Sequence, residues 1–347
     1  MERVRNLAEY VQGLMENKNG RELYIRYRDD LEGVTPQEAF EVFTLLLNKG
    51  KQADDILVVL DKVINVFYKS LSRYSWKKPA KNSFIGVLME ENNGLVKRLD
   101  YIKGILKEKN ISTHKKELIA AVSELKQFNA HYLKKENILF PYMEKKNSRF
   151  EGLSIMWALH DITRDLIKEV IKILESGAYN EEDFNKAIGS LFFAMHGLVQ
   201  KEELILFPAA MEVIDDNEWP EMMMQSEEYG FPFIDYPMQT ENKPDIPENK
   251  IENKSENTAG NNSVNLKDST SPKTGFAIET ETGRLSLEQV LMIFDTLPVD
   301  VTLVDENNKV VFFNRPKDRL FPRSPAVIGR DVRNCHPPKS LHIVNEI

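Results

Sequence analysis

Glu91, His131, Glu136, His160, Glu202 and Glu203 are side chains of the kinds that hold metal ions, and they recur through the middle of a 347-residue chain. Two phrases expose the pattern. "HYLKKENILFP" runs from His131 to Pro141, and "HGLVQKEELILFP" from His196 to Pro208. Each sets a histidine, a lysine–acid pair, apolar residues and Leu-Phe-Pro in one order, as a duplicated helical hairpin would. On a helical wheel Glu91 falls near the centre of a stripe of Phe84, Val87, Leu88, Leu95, Leu99, Ile102 and Leu106. Glu136 falls among Leu118, Ala121, Val122, Leu125, Phe128, Tyr132 and Leu139, and Glu202 among Phe184, Ile188, Leu191, Met195, Leu198, Val199 and Leu206. A further helix is apolar over a wide arc (Ile155, Leu159, Ile162, Leu166, Ile167, Val170, Ile173), with His160 at its edge.

Three carboxylates aimed at one core repel each other, and each costs several kcal/mol or takes up a proton. A bound cation relieves both problems. Four-helix bundles host di-iron and di-manganese sites built from Glu and His on facing helices, and imidazole with carboxylate suits iron, manganese or zinc. The other solution is ion pairing with inward cations such as Arg98 or Arg164. Asp161 and Arg164 are placed to orient ligands or to pair with each other. His114 reads as part of a helix start, and His196 stands near the site without matching a ligand slot.

The expected elements that position these groups are long helices near 83–108, 113–140, 153–176 and 181–212, joined by short breaks. That pattern predicts an antiparallel four-helix bundle over 80–214. Ahead of it, residues 1–78 read as a small helical domain. "GVTPQEAFEVFTLLLNKG" has Thr35 as N-cap, Pro36 at the first helical position, Glu38 closing a capping box and Gly50 as the stop. Residues 215–239, rich in Met, Phe, Tyr and Pro, read as an irregular strap on the bundle. Residues 240–283 read as a disordered linker; 240–275 hold no aromatic residue. From 284 to 347 the pattern turns α/β, with a short helix "SLEQVLMIFDTL" and a hairpin in "VDVTLVDENNKVVFFN". A mixed domain usually needs about 100 residues, so this one is expected to be incomplete. The fold class is therefore mainly α, ending in a small α/β part.

The chain has a net charge of −8 and no basic block, which argues against nucleic acid as a partner. One cysteine, Cys335, excludes an internal disulfide framework and fits a reducing compartment. The charged, amphipathic start is not a signal peptide, and no apolar run approaches the ~20 residues of a spanning helix. A cytoplasmic protein is expected, with peripheral membrane contact left open.

The middle of the chain resembles the hemerythrin, or HHE cation-binding, family. "HYLKKENILFPYME", "MWALHDITRDLIK" and "QKEELILFPAAME" carry the resemblance, over about 130 residues. It implies a non-haem iron centre, expected as a di-iron pair with manganese or zinc as alternatives. His131 and Glu136 would be ligands from the second helix, His160 from the third, and Glu202 or Glu203 from the fourth. The chain departs from the family's His-x-x-x-Glu: Lys135 stands four residues after His131, and Glu136 five. On a regular helix His131 and Glu136 lie about 140° apart, so one site can use both only if the helix bulges or the site is wide. Asn92 stands where the family often has His, and Leu198 at the slot matching His131. A set this rich in carboxylate argues against reversible O₂ transport. The closing "RLFPRSPAVIGRDVRNCHPPKS" is similar to a PAS-like sensor domain, in which Cys335 and His336 could hold haem or a small ligand. Together the resemblances imply a sensor of O₂, NO or redox state that acts through a protein effector and could form a homodimer. The rival classes are a carboxylate-bridged di-iron redox enzyme or iron-delivery protein, and an interaction module whose metal site is degenerate.

Overall fold

A computed structural model describes residues 2–108, 111–147, 150, 152–176, 180–236, 277–337, 340–344 and 346. The chain divides into two compact units. One holds Met1–Tyr236, Thr302–Phe313 and Phe321–Ile347; the other holds Pro237–Val301 and Asn314–Leu320.

The first unit opens with α1 (Glu2–Met15), α2 (Gly20–Leu31), α3 (Pro36–Asn48) and α4 (Ala53–Leu71). The capping box at α3 forms as its residues require. Thr35 Oγ1 accepts from the Glu38 amide, and Glu38 accepts from the Thr35 amide. Past its end Gly50 takes φ 81°, a backbone region closed to most side chains. These four helices share one hydrophobic core with the bundle. Phe40 meets Phe150 edge to face at 5.5 Å, and Lys201 Nζ reaches Asp61 at 2.7 Å.

The bundle's first helix is α5 (Phe84–Leu106). Its second is segmented into α6 (Ile111–Glu124), a 3₁₀ turn (Leu125–Phe128), α7 (Asn129–Lys134), a π turn (Lys135–Leu139) and α8 (Phe140–Lys146). The third is α9 (Leu153–Glu175), and the fourth is α10 (Glu181–Lys201), a π turn (Glu202–Leu206) and α11 (Phe207–Val213). α5 packs on α6, α6 on α9, α9 on α10 and α10 on α5, which closes the four sides in chain order. The stripes of the first, second and fourth helices are buried along most of their length. Each such Leu, Ile or Phe contributes ~1.5–3 kcal/mol before ordering costs. The third helix keeps Ile155, Ile167 and Val170 of its expected arc buried, with Leu159, Leu166 and Ile173 partly so, and departs from it at one position. Ile162 is 37% exposed, whereas Met156, Trp157, Thr163, Ile171 and Leu174 are buried and His160 is wholly enclosed. His160 meets the buried carboxylate of Glu136, and Ile162, two positions on, lies toward the opposite side of the helix.

After the bundle, α12 (Trp219–Ser226) and an irregular stretch to Tyr236 lie against it. Phe233 has φ 68° and rests on Gly94 of α5. A Cβ at Gly94 would come within 2.7 Å of Phe233 Cβ and 2.8 Å of its carbonyl oxygen, so only glycine admits that approach. The rest of the first unit is a hairpin of β3 (Thr302–Val304) and β4 (Val310–Phe313), then short 3₁₀ turns and α14 (Leu341–Val344). The hairpin turns where the Asn pair stood in the sequence. Asn308 has φ 60°, and Asp305 Oδ1 accepts from the amides of Asn307 and Lys309.

The second unit holds an antiparallel pair, β1 (Ala277–Thr280) with β2 (Gly283–Ser286), followed by α13 (Leu287–Thr296) with a Ser286–Gln289 capping box. Of the expected linker 240–283, residues 240–276 lie outside the described residues, as do 237–239 of the expected strap. The remainder of that linker is hairpin instead: each of Ala277–Thr280 pairs across the ladder with one of Gly283–Ser286. Among the described residues, no helix is long and apolar enough to cross a membrane.

Candidate functional site: a buried ionic network in the bundle

The repeated Leu-Phe-Pro phrase is the trailing edge of a π turn, and it occurs twice. The Phe140 amide bonds back to the Lys135 carbonyl and the Phe207 amide to the Glu202 carbonyl, five residues each way. The next residue, Pro141 or Pro208, has no N–H to return to the α pattern. A π turn spreads an extra residue over one turn of helix. Glu136 lies within the first of these turns; it and His131 are both buried but meet different partners, Glu136 His160 and Arg164, and His131 Glu91 and Glu202.

Glu91, His131, Glu136, His160 and Glu202 all face the core, none more than 2% exposed. His131 bridges two of the carboxylates, with Nδ1 2.8 Å from Glu91 Oε2 and Nε2 3.0 Å from Glu202 Oε2. Asn92 Nδ2 donates to the same Glu202 oxygen at 2.9 Å. Each carboxylate also has a cation. Lys134 Nζ donates to Glu91 and Lys135 Nζ to Glu202, and Arg164 Nη2 donates to Glu136 Oε2 at 2.9 Å. His160 Nδ1 lies 2.8 Å from the other Glu136 oxygen. Arg164 is itself held by Asp161 and Asn129. The pairing of Glu136 with Arg164 is the ion-pair solution that an inward arginine offers; Arg98 instead meets Glu124 and the Phe233 ring.

Lys134 and Lys135 escaped the sequence reading as counter-ions. The signal was present: they stand three and four residues after His131, on the same helical face. Arg330 also escaped it, and no local pattern marks it. In the π turn the Glu136 carbonyl would bond to the amide of residue 141, which is proline. Arg330 Nη1 fills that vacancy at 2.9 Å, while Nε and Nη2 clamp Glu144 at 2.8 Å each.

Burial pushes the Glu202 carboxyl up, but Lys135 and His131 outweigh it and hold it at about 2. At Glu136 burial prevails over Arg164, and the carboxyl is raised to about 7. Burial, with the nearby Lys135 and Arg164, pushes His160 well down, so its ring is neutral at neutral pH. When Glu136 is ionised, His160 Nδ1–H donates to it and Nε2 carries the lone pair.

The segment after α12 covers the Glu91–His131 side of the network. Phe233 stacks on Phe128 at 5.8 Å between ring centres, and Phe128 stacks on His131 at 4.4 Å. Lys134 Nζ also donates to the Gly230 carbonyl at 2.9 Å.

The other candidates stand apart. Glu203 is half-buried and outside these hydrogen bonds; burial and Glu202 raise its carboxyl against the pull of Lys78. His196 is exposed, and His114 is held between Glu108 and Glu117 near the start of α6. Cys335 packs with Val310 and Val327, its thiol 3.7 Å from the Asp331 carbonyl and pushed up by burial. His336 beside it is half-buried and pushed down by burial and Arg323.

The network can be tested against the metal that this kind of bundle implies. Among the described residues, His160 Nε2 and Asn92 Oδ1 are buried acceptors with no donor, and both are atoms that bind cations. An imidazole whose other nitrogen is held by a carboxylate is the usual posture of a metal ligand. Against this, Lys134, Lys135 and Arg164 already balance Glu91, Glu136 and Glu202. Among the described residues, no group of three or more His, Cys, Asp or Glu side chains is gathered around an open metal position. Two iron ions would add charge to a core whose three carboxylates already have cationic partners, so the side chains as they stand do not fit a di-iron centre.

Residues 83–210 match the family model of the hemerythrin HHE cation binding domain, and residues 290–347 that of a PAS domain. No curated protein matches the chain. The buried network thus lies inside the segment that matches the hemerythrin HHE cation binding domain, in a chain whose residues 290–347 match a PAS domain.

Proposed function

We propose that the protein is a metal-binding sensor or signalling module in which one cation competes with Lys134 and Lys135 for Glu91, His131 and Glu202. The observation that carries this reading is the buried network itself, with a lone pair on His160 Nε2 that no donor among the described residues meets. His160 and Asn92 would complete the donor set, and Glu136 with Arg164 would fix the His160 ring. Non-haem iron suits this mix of imidazole and carboxylate, with manganese or zinc as substitutes. Iron there would make the bundle responsive to O₂, NO or redox state. The PAS domain would carry the output to a protein effector or a second copy of the chain.

The experiment is metal analysis of the full chain after growth with ample iron. About one iron per chain is expected in the wild type. Lys134→Met with Lys135→Met should raise occupancy, because two carboxylates then lack counter-ions. His131→Ala with Glu202→Gln should abolish it. Circular dichroism establishes that each variant is folded. Absence of metal from both the wild type and the lysine variant defeats the reading. That outcome would favour an interaction module with a degenerate metal site, a second reading supported by the internal matching of charges.

A further inference from the structure

A cavity of about 750 Å³ lies beside the ionic network, within the first unit. Bundle residues and residues of the segment matched by the PAS domain both line it. Leu133 and Trp157 of the bundle face Phe321, Val332, Ile343 and Val344 of the other part. The size is that of sites for small organic molecules, and walls of this kind take an apolar body.

Its charged rim decides the rest. Glu136 is engaged by Arg164 and His160, and Asp161 by Arg164. Asp305 accepts from two backbone amides of its own turn. Arg323 differs: it meets no carboxylate among the described residues. Its Nη1 donates to the carbonyl of its neighbour Pro322 at 3.3 Å, and its Nε is buried without an acceptor. A guanidinium fork with an unmet donor, over an apolar cavity, calls for one planar anion.

We propose that this cavity binds a small amphipathic carboxylate, its head on Arg323 and its apolar body along Leu133, Trp157 and Ile343. A phosphate dianion suits it less, because Arg164, the other guanidinium on the rim, is already committed to Glu136 and Asp161. A molecule bound there touches the bundle and the PAS-matched segment together. It would lie against Glu136 and Arg164, and so would add a chemical input to the same network.

Decanoate and decan-1-ol share a body and differ in the head, and calorimetry on the full chain compares them. Decanoate should bind at least ~10-fold tighter, the scale of a hydrogen bond to a charged group. Arg323→Gln should remove that preference while leaving decanol binding as it was; Arg323 is only half-buried, so the fold should tolerate the change. Leu133→Trp, which fills the apolar end, should weaken both ligands. Equal binding of acid and alcohol by the wild type overturns the proposal. So does a preference that survives Arg323→Gln, or binding of neither ligand.

Discussion

Replacing Lys135 by methionine should cost the bundle about 3–5 kcal/mol at neutral pH, the scale for breaking one side of a buried ion pair. The two partners pull in opposite directions: burial lowers the Lys135 ammonium, while Lys135 and His131 hold the Glu202 carboxyl down. Glu202 is held at about 2 against an ordinary 4.5, mainly by Lys135 and His131 working against burial. A depression of that size corresponds to about 3 kcal/mol. Without Lys135, Glu202 keeps Asn92 Nδ2 at 2.9 Å and His131 Nε2 at 3.0 Å, but no ammonium group. Burial then prevails and the carboxyl rises. The two proteins therefore respond to pH with opposite sign. In the wild type a depressed carboxyl stabilises the fold above pH 4.5, and that stability is lost as pH falls from 4.5 through about 2. In the variant a raised carboxyl stabilises the fold below its unfolded value, and the stability is lost as pH rises through the folded one. The deficit of the variant should thus be large at pH ~7.5 and smaller at pH ~5, where Glu202 becomes protonated. Urea unfolding followed by circular dichroism at both pH values measures it. A deficit under ~1 kcal/mol, or one unchanged between the two conditions, would mean that Lys135 is not the counter-charge of Glu202.

The same core yields two further outcomes. Glu136, raised to about 7 by burial, should make wild-type stability fall as pH rises from 4.5 through 7, by up to about 3 kcal/mol; Glu136→Gln should flatten that fall in urea midpoints, and an unaltered pH profile would refute the assignment. Arg330→Met should cost less when combined with Pro141→Ala, because the new amide can serve the Glu136 carbonyl that Arg330 leaves; a double-mutant cycle should show about 0.5–1.5 kcal/mol of coupling, and none if Arg330 acts through Glu144 alone.

The bundle was legible because its information is local. Short breaks, apolar stripes and the Thr35–Pro36–Glu38 start are each contained in a few adjacent residues. The inward groups were legible too, since an acid in an apolar stripe is conspicuous whatever it binds. The spacing of His131 and Glu136 even posed the condition of a bulge, and a π turn stands there. What neutralises those acids was less legible. Lysine beside glutamate in sequence is ordinarily solvated, and only the tertiary fold puts Lys134 and Lys135 in a dry core. Ile162 shows the same limit from the other side: a wide apolar arc does not say which edge is left exposed. Arg330 lay beyond local reasoning altogether, because its partners are set by chain folding across most of the molecule.

The guanidinium that serves the Glu136 carbonyl stands 194 residues further along the chain. At ribosomal rates of roughly 5–20 residues per second, that separation is about ten to forty seconds of synthesis. Between the synthesis of Val213, which ends the bundle, and that of Arg330, a nascent bundle has no Arg330 for the carbonyl at its π turn or for Glu144. The second bundle helix therefore matures in two stages, and its own translation finishes well before its last hydrogen bond can form.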